Sequence, residues 1–289
     1  MKKLKYLLLI ILLSVTGCFK SNSMEDIKIV TSLYPIEYVV DYLYGDHSTI
    51  VSIYPHDSNI QEFKVTNVLL EDYSTNDLFI FNGLSEEKNF VKSIKKYNSD
   101  IMIIDSTSNI IYEYAMEELW LDPNNLLTIA NNIKNGFEEY IDSTYLTNEI
   151  NEKYNNLKIE LTSLDGKFYS NAKKAETNNI IVTDNAFKFL EKYGLKVISL
   201  DKETITQKDI YEAKELLKNG TCKYIFINYK EELNEEVKEI IKETGADTLE
   251  FYKMTDLSEL NIDKNNYITL MNSNLENLKI ELYKEKKNS

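Results

Sequence analysis

Side chains able to do acid–base, nucleophilic or imidazole–metal chemistry are scarce in this sequence. It holds two histidines (His47 and His56), two cysteines (Cys18 and Cys222) and one tryptophan (Trp120); its 33 basic residues are all lysine. Two histidines in separate loops cannot complete a Ser-His-Asp or Cys-His set, and no glycine-rich loop follows a strand to cradle a phosphate. Without arginine there is no bidentate clamp for phosphate or carboxylate. Cys222, within Thr221-Cys222-Lys223-Tyr224, reads as a small half-buried residue at a strand edge rather than a reactive thiol. His47, beside Gly45-Asp46, reads as a solvated loop residue. The pattern argues against an enzyme. The acidic, tyrosine-rich remainder reads first as a solvated face.

The bulk properties narrow the class further. A net charge of −14 argues against a nucleic-acid partner, because such proteins need a basic stripe to displace counterions. The length of 289 residues suggests about two domains. Residues 1–17 read as an export signal: Lys2, Lys3 and Lys5 precede an apolar run, Tyr6 to Leu13, too short to span a bilayer. The run ends in Val15-Thr16-Gly17-Cys18, which resembles the bacterial lipobox. Lipidation of Cys18 is therefore expected, with residues 18–26 as a tether and the chain held at the extracytoplasmic face of the cell membrane. Cys222 then has no partner, so no disulfide framework is expected despite export.

Two α/β lobes must position whatever site exists. In residues 27–146 the expected strands are Ile27–Leu33, Thr49–Tyr54, Asp77–Phe81 and Ile101–Asp105, with helices Ile36–Tyr44 and Ser85–Tyr97 between them. In residues 176–289 they are Ile180–Thr183, Lys196–Leu200, Lys223–Tyr229 and Thr248–Phe251. Helices Ala186–Tyr193, Gln207–Asn219 and Glu235–Thr244 each end at a glycine, the residue that best closes a helix. Between the lobes, Ile150, Tyr154, Leu157, Leu161, Leu164 and Phe168 repeat at four-three spacing, predicting one long helix over residues 147–175. The fold class is thus α/β: two lobes, each a parallel sheet flanked by helices, joined by a linker helix that resists hinge bending. Strand-end loops of both lobes would face one cleft.

Several ordered segments carry a resemblance to the zinc- and manganese-binding lipoproteins of bacterial metal ABC importers, from about residue 27 to about residue 283. They are Thr31-Ser32-Leu33-Tyr34-Pro35, Asn82-Gly83-Leu84, Trp120-Leu121-Asp122-Pro123, Asn185-Ala186-Phe187 with Tyr193-Gly194-Leu195, and Glu243-Thr244-Gly245-Ala246. Tyr267 to Leu275 looks like the family's C-terminal helix. The resemblance implies a metal held by one side chain from each of four strand-end loops, usually three histidines and a carboxylate. Here those places fall on Gln61, Glu118, Asp184 and, by a looser match, Glu250 or Tyr252. His56, five residues before Gln61, is a further candidate if it swings inward.

An amide and carboxylates are hard donors, suited to manganese, calcium or magnesium, whereas zinc favours imidazole and thiolate. Tight zinc binding of the usual family kind is therefore expected to be absent. The alternative is that these are polar residues around a water-filled cleft in a relative that lost its metal. Repulsion between Glu118 and Asp184 in a confined cleft favours a cation between them. The resemblance implies import: a divalent cation (manganese, zinc or calcium) captured outside the membrane and passed to an ABC permease and its ATPase. A surface interaction protein of the adhesin type is the competing reading.

Overall fold

Alternation along the strands explains how the chain divides its core. In the computed structural model, which describes residues 24–55, 60, 63–255 and 265–284, β1 (Ile27–Thr31) sends Ile29 to one face of its sheet and Val30 to the other. β3 (Leu78–Phe81) repeats this with Leu78 and Ile80 against Phe79 and Phe81. Such two-sided apolar strands are what a fully covered parallel sheet requires. With β2 (Ser48–Ser52) and β4 (Met102–Asp105) they form a parallel sheet in the order β2-β1-β3-β4. Strands β5 (Asn179–Val182), β6 (Lys196–Ser199), β7 (Tyr224–Asn228) and β8 (Asp247–Phe251) form a second with the same winding, β6-β5-β7-β8.

The helices cover both faces. In the first lobe these are α1 (Tyr34–Tyr44), α2 (Asn67–Tyr73), α3 (Glu87–Tyr97), α4 (Glu118–Leu121) and α5 (Pro123–Tyr140). Helix α5 lies against β4 through Gly136, where an added Cβ would come within 2.7 Å of Ile104. The linker α6 runs Thr144–Lys174, three residues earlier at its start than the apolar spacing predicts. The reason is the Ser143 hydroxyl, which accepts the Leu146 N–H and sets the N-terminus upstream of the first apolar repeat. Its buried stripe is Leu146, Ile150, Leu157, Leu161, Leu164 and Phe168. The second lobe carries α7 (Gln207–Lys218), α8 (Glu235–Thr244) and α9 (Tyr267–Leu282). Residues Asn185–Tyr193 wind as a 3-10 helix, not an α-helix, tighter than the apolar pattern implies.

One apolar cluster runs through both lobes: it includes Ile29 and Ile80, the α6 stripe, Val182 and Phe226, and the inner face of α9. Separate clusters fill the outer face of each sheet. Gly194, Gly220 and Gly245 have φ of 88°, 76° and 71°, the left-handed stop expected of them. Gly45 differs. Its φ is −57°, and a Cβ there would lie 2.4 Å from the Asp41 carboxylate, whose side chain would have to shift. Two further expectations are corrected. His47 is not a solvated loop residue: its Nε2 lies 3.0 Å from Glu149 Oε2 of α6 and its ring packs on Tyr44. Cys222 is fully buried rather than half-buried, and burial pushes its thiol up to about 12, which makes it inert.

Candidate metal centre

Both sheets reverse winding direction between their two inner strands, which places crevices beyond the carboxyl ends of β1/β3 and of β5/β7. A carboxylate closes each crevice from within its own lobe. Glu87, at the start of α3, accepts the Ser32 hydroxyl at 2.7 Å and the Asn82 N–H at 2.8 Å. Glu231 repeats the device, accepting the Thr183 hydroxyl, in a short contact, and the Asn228 N–H at 2.9 Å. In each lobe the donors are a hydroxyl just past the first strand and an N–H at the end of the third. Burial pushes the Glu87 carboxyl up to about 7, against the opposing pull of the Asn82 N–H and the Ser32, Ser85 and Tyr54 hydroxyls.

The lobes meet over these crevices. The indole N–H of Trp120, in α4, donates to the Lys253 carbonyl at 2.9 Å, and the Tyr267 hydroxyl of α9 donates to the Trp120 carbonyl at 2.6 Å. Tyr114 donates to Glu191 at 2.8 Å, and Lys192 pairs closely with Asp122. The Trp-Leu-Asp-Pro segment is therefore the seam between lobes. Its Asp122 also caps α5 by accepting the Asn124 N–H at 2.9 Å.

Glu118 and Asp184, read from the sequence as facing carboxylates, each have partners of their own. Glu118 folds back on the loop before α4 and accepts the backbone N–H groups of Glu113, Tyr114 and Ala115 at 3.2, 2.6 and 2.8 Å. Asp184 caps the 3-10 helix, one oxygen accepting the Ala186 N–H at 2.8 Å and the other the Lys253 ammonium at 2.6 Å. A third carboxylate, Glu117, lies 3.6 Å from the same ammonium and comes from the first lobe. Glu117 and Lys253 are residues of this candidate site that sequence reasoning missed. Adjacency of Glu117 to Glu118 was the available signal for one; none marked Lys253.

Lys253 is anchored between the lobes. Its side chain is 11% exposed, and its backbone N–H donates to Asn228 Oδ1 at 3.3 Å. Burial acts to lower the ammonium's pKa, but Asp184 and Glu117 outweigh it and leave the pKa raised. Glu250 lies between Leu249 and Phe251, both in the shared core, so alternation sends its exposed side chain to the opposite face of β8. Tyr252 packs its ring on Tyr229 at 4.9 Å, and its backbone exchanges hydrogen bonds with Asn274. Gln61, His56 and Cys18 lie outside the described residues. Among the described residues, no three His, Cys, Asp or Glu side chains are grouped to hold a metal ion, and no helix is long and apolar enough to cross a membrane.

Residues 29–280 match the family of zinc-uptake complex component A, periplasmic (ZnuA), a span that takes in both lobes and the linker. The chain belongs to that family of extracytoplasmic substrate-binding proteins of metal ABC importers. It is 24% identical over 242 residues to the iron-binding protein YfeA of Yersinia pestis, covering 78% of this chain and 76% of that one. Its fold is similar to that of the metal-dependent lipoprotein YcdH of Bacillus subtilis, with a TM-score of 0.73 at 22% identity over 89% of this chain and 99% of that one. It is also similar to the laminin-binding protein Lmb of Streptococcus agalactiae, described as a bifunctional adhesin and metal transporter, with a TM-score of 0.71 at 18% identity over 89% and 99% of the two chains.

Proposed function

We propose that this protein captures a divalent cation in the cleft between its lobes and passes it to an ABC permease and its ATPase. The observation that carries this reading is the family match across both lobes, residues 29–280. The cargo is received by oxygen donors. Asp184 and Glu117 converge from opposite lobes, and Glu118 and Gln61 are the further candidates that the family positions suggest, whereas Glu250 faces away on β8. Such a set favours manganese or calcium over zinc. A lipid on Cys18 holds the protein at the outer face of the membrane, where it meets the permease; its role is binding rather than catalysis.

The test is metal analysis of the detergent-extracted protein, followed by thermal unfolding with zinc, manganese and calcium added after chelation. A bound ion at about a hundredfold excess over Kd adds about 2.7 kcal/mol of stability. No response of the native protein to any of the three ions refutes capture. Cys18→Ala should move the protein from the membrane fraction to the medium; a variant that stays membrane-bound refutes the anchor.

A second reading is favoured by one observation, the Lys253 ammonium already seated on Asp184. In it the cleft needs no metal, and the protein serves at the cell surface as an adhesin-type interaction protein, a role that the description of Lmb includes.

A further inference from the structure

Lys253 has a position that its backbone alone does not require. Its N–H and carbonyl are already engaged by Asn228 and Trp120, which fix the chain between the lobes. The side chain then carries an ammonium to the place where carboxylates of opposite lobes meet, 2.6 Å from Asp184 and 3.6 Å from Glu117. Asp184 has committed its other oxygen to the Ala186 N–H, so the oxygen it has left is the one Lys253 takes. At 3.6 Å the Glu117 carboxylate is within Coulombic range but beyond hydrogen-bond length, so Lys253 neutralises it without saturating it.

An ammonium on a flexible four-carbon stem is a monovalent cation on a tether. A divalent ion approaching Asp184 meets both an occupied oxygen and a like charge, and each disfavours binding while the ammonium stays. We propose that Lys253 is a built-in competitor for the cargo ion: capture at Asp184 requires the ammonium to swing out, and Lys253 thereby sets how tightly the cleft holds a divalent cation. Release of the ammonium frees Asp184 Oδ2 and removes the positive charge beside Glu117 Oε1, leaving one oxygen donor from each lobe. When the cargo leaves, the ammonium returns and restores charge balance, so the empty cleft does not hold unpaired carboxylates. This inference rests on the reading that the cargo is a divalent cation.

The experiment is a titration of the detergent-extracted full-length protein with manganese, calcium or zinc after chelation, read by thermal unfolding and calorimetry. It compares the native protein with Lys253→Met, Lys253→Gln and Lys253→Arg. Linked binding events in proteins typically couple by roughly 5–150-fold, and Lys253→Met should bind at least one of the ions about tenfold or more tightly than the native protein. Its midpoint in chelator should fall, and the ion should restore it. Lys253→Gln keeps a polar stem and should show the same gain if the Met variant accumulates poorly. Lys253→Arg keeps the charge and should not show it. Binding by the Met and Gln variants that is no tighter than native overturns the proposal, as does an equal gain in the Arg variant. Capture itself is judged on the native protein alone. A native protein that responds, beside Met and Gln variants that bind no more tightly, therefore leaves capture standing and overturns the competitor alone.

Discussion

Glu87 shows how the crevice beyond β1 and β3 is closed, and at what cost. Its carboxyl is almost fully buried, and burial raises its pKa from the ordinary glutamate value to about 7 despite four donors around it. The native state therefore binds this proton more tightly than the unfolded chain does. Stability from this group is full below about pH 4.5 and is lost as pH rises towards about 7, a change on the order of 3 kcal/mol. Glu87→Gln should flatten that part of the stability–pH profile measured by urea unfolding; an unchanged slope in the variant places its origin elsewhere. Glu118 carries the opposite lesson. Repulsion by Asp184 suggests from the sequence that its removal relieves strain, yet its oxygens hold three backbone N–H groups of the loop that presents Glu117. Glu118→Ala should therefore destabilise the metal-free protein by about 1–3 kcal/mol in chemical denaturation. A neutral or stabilising result would show that water replaces it and that the carboxylate is free to face the cleft.

Elements whose apolar period is clear were legible without coordinates: all eight strands appear within a residue or two of expectation, as do α1, α3, α7 and α8. They were legible because a parallel strand covered on both faces, and a helix covered on one, each leave a pattern in the sequence. The site was less so. Gln61, Glu118 and Asp184 were reached through family positions rather than a residue pattern, and Lys253 enters the cleft only because the residues after β8 pass beneath Trp120, a contact across 133 positions. No local pattern encodes that. Helix α5 is a smaller case. Gly136 sits in mid-helix, where glycine is unfavourable, and its reason is the close approach of Ile104. Gly136→Ala should gain helix propensity yet lose about 1–3 kcal/mol from overpacking. A rise in the thermal midpoint would mean that β4 and α5 part easily.

At the scale of the whole molecule, the question is whether two lobes behave as two domains. Their sheets are separate and similarly wound, which favours independence. Their cores are not separate. The apolar cluster that includes Ile29 of β1 also includes Phe226 of β7, and the α6 stripe joins them along its length. Removing either lobe would expose that stripe to water, at about 25 cal/mol for each Å² of apolar surface uncovered. The lobes should therefore unfold together, and a helix break in the linker should destabilise both. Leu157→Pro removes a hydrogen bond and clashes with the preceding turn of α6, costing about 3 kcal/mol or more. Trp120 is a good reporter, because it is the sole tryptophan, is buried, and bonds to the opposite lobe through Lys253. In urea, its fluorescence should change at the same midpoint as far-ultraviolet circular dichroism, and Leu157→Pro should shift both equally. Fluorescence that changes first, with most of the helix and sheet signal intact, would show that the seam opens before the lobes unfold. The cleft would then be held by its polar contacts alone, and the shared core would not be what keeps Asp184 and Glu117 in reach of one cation.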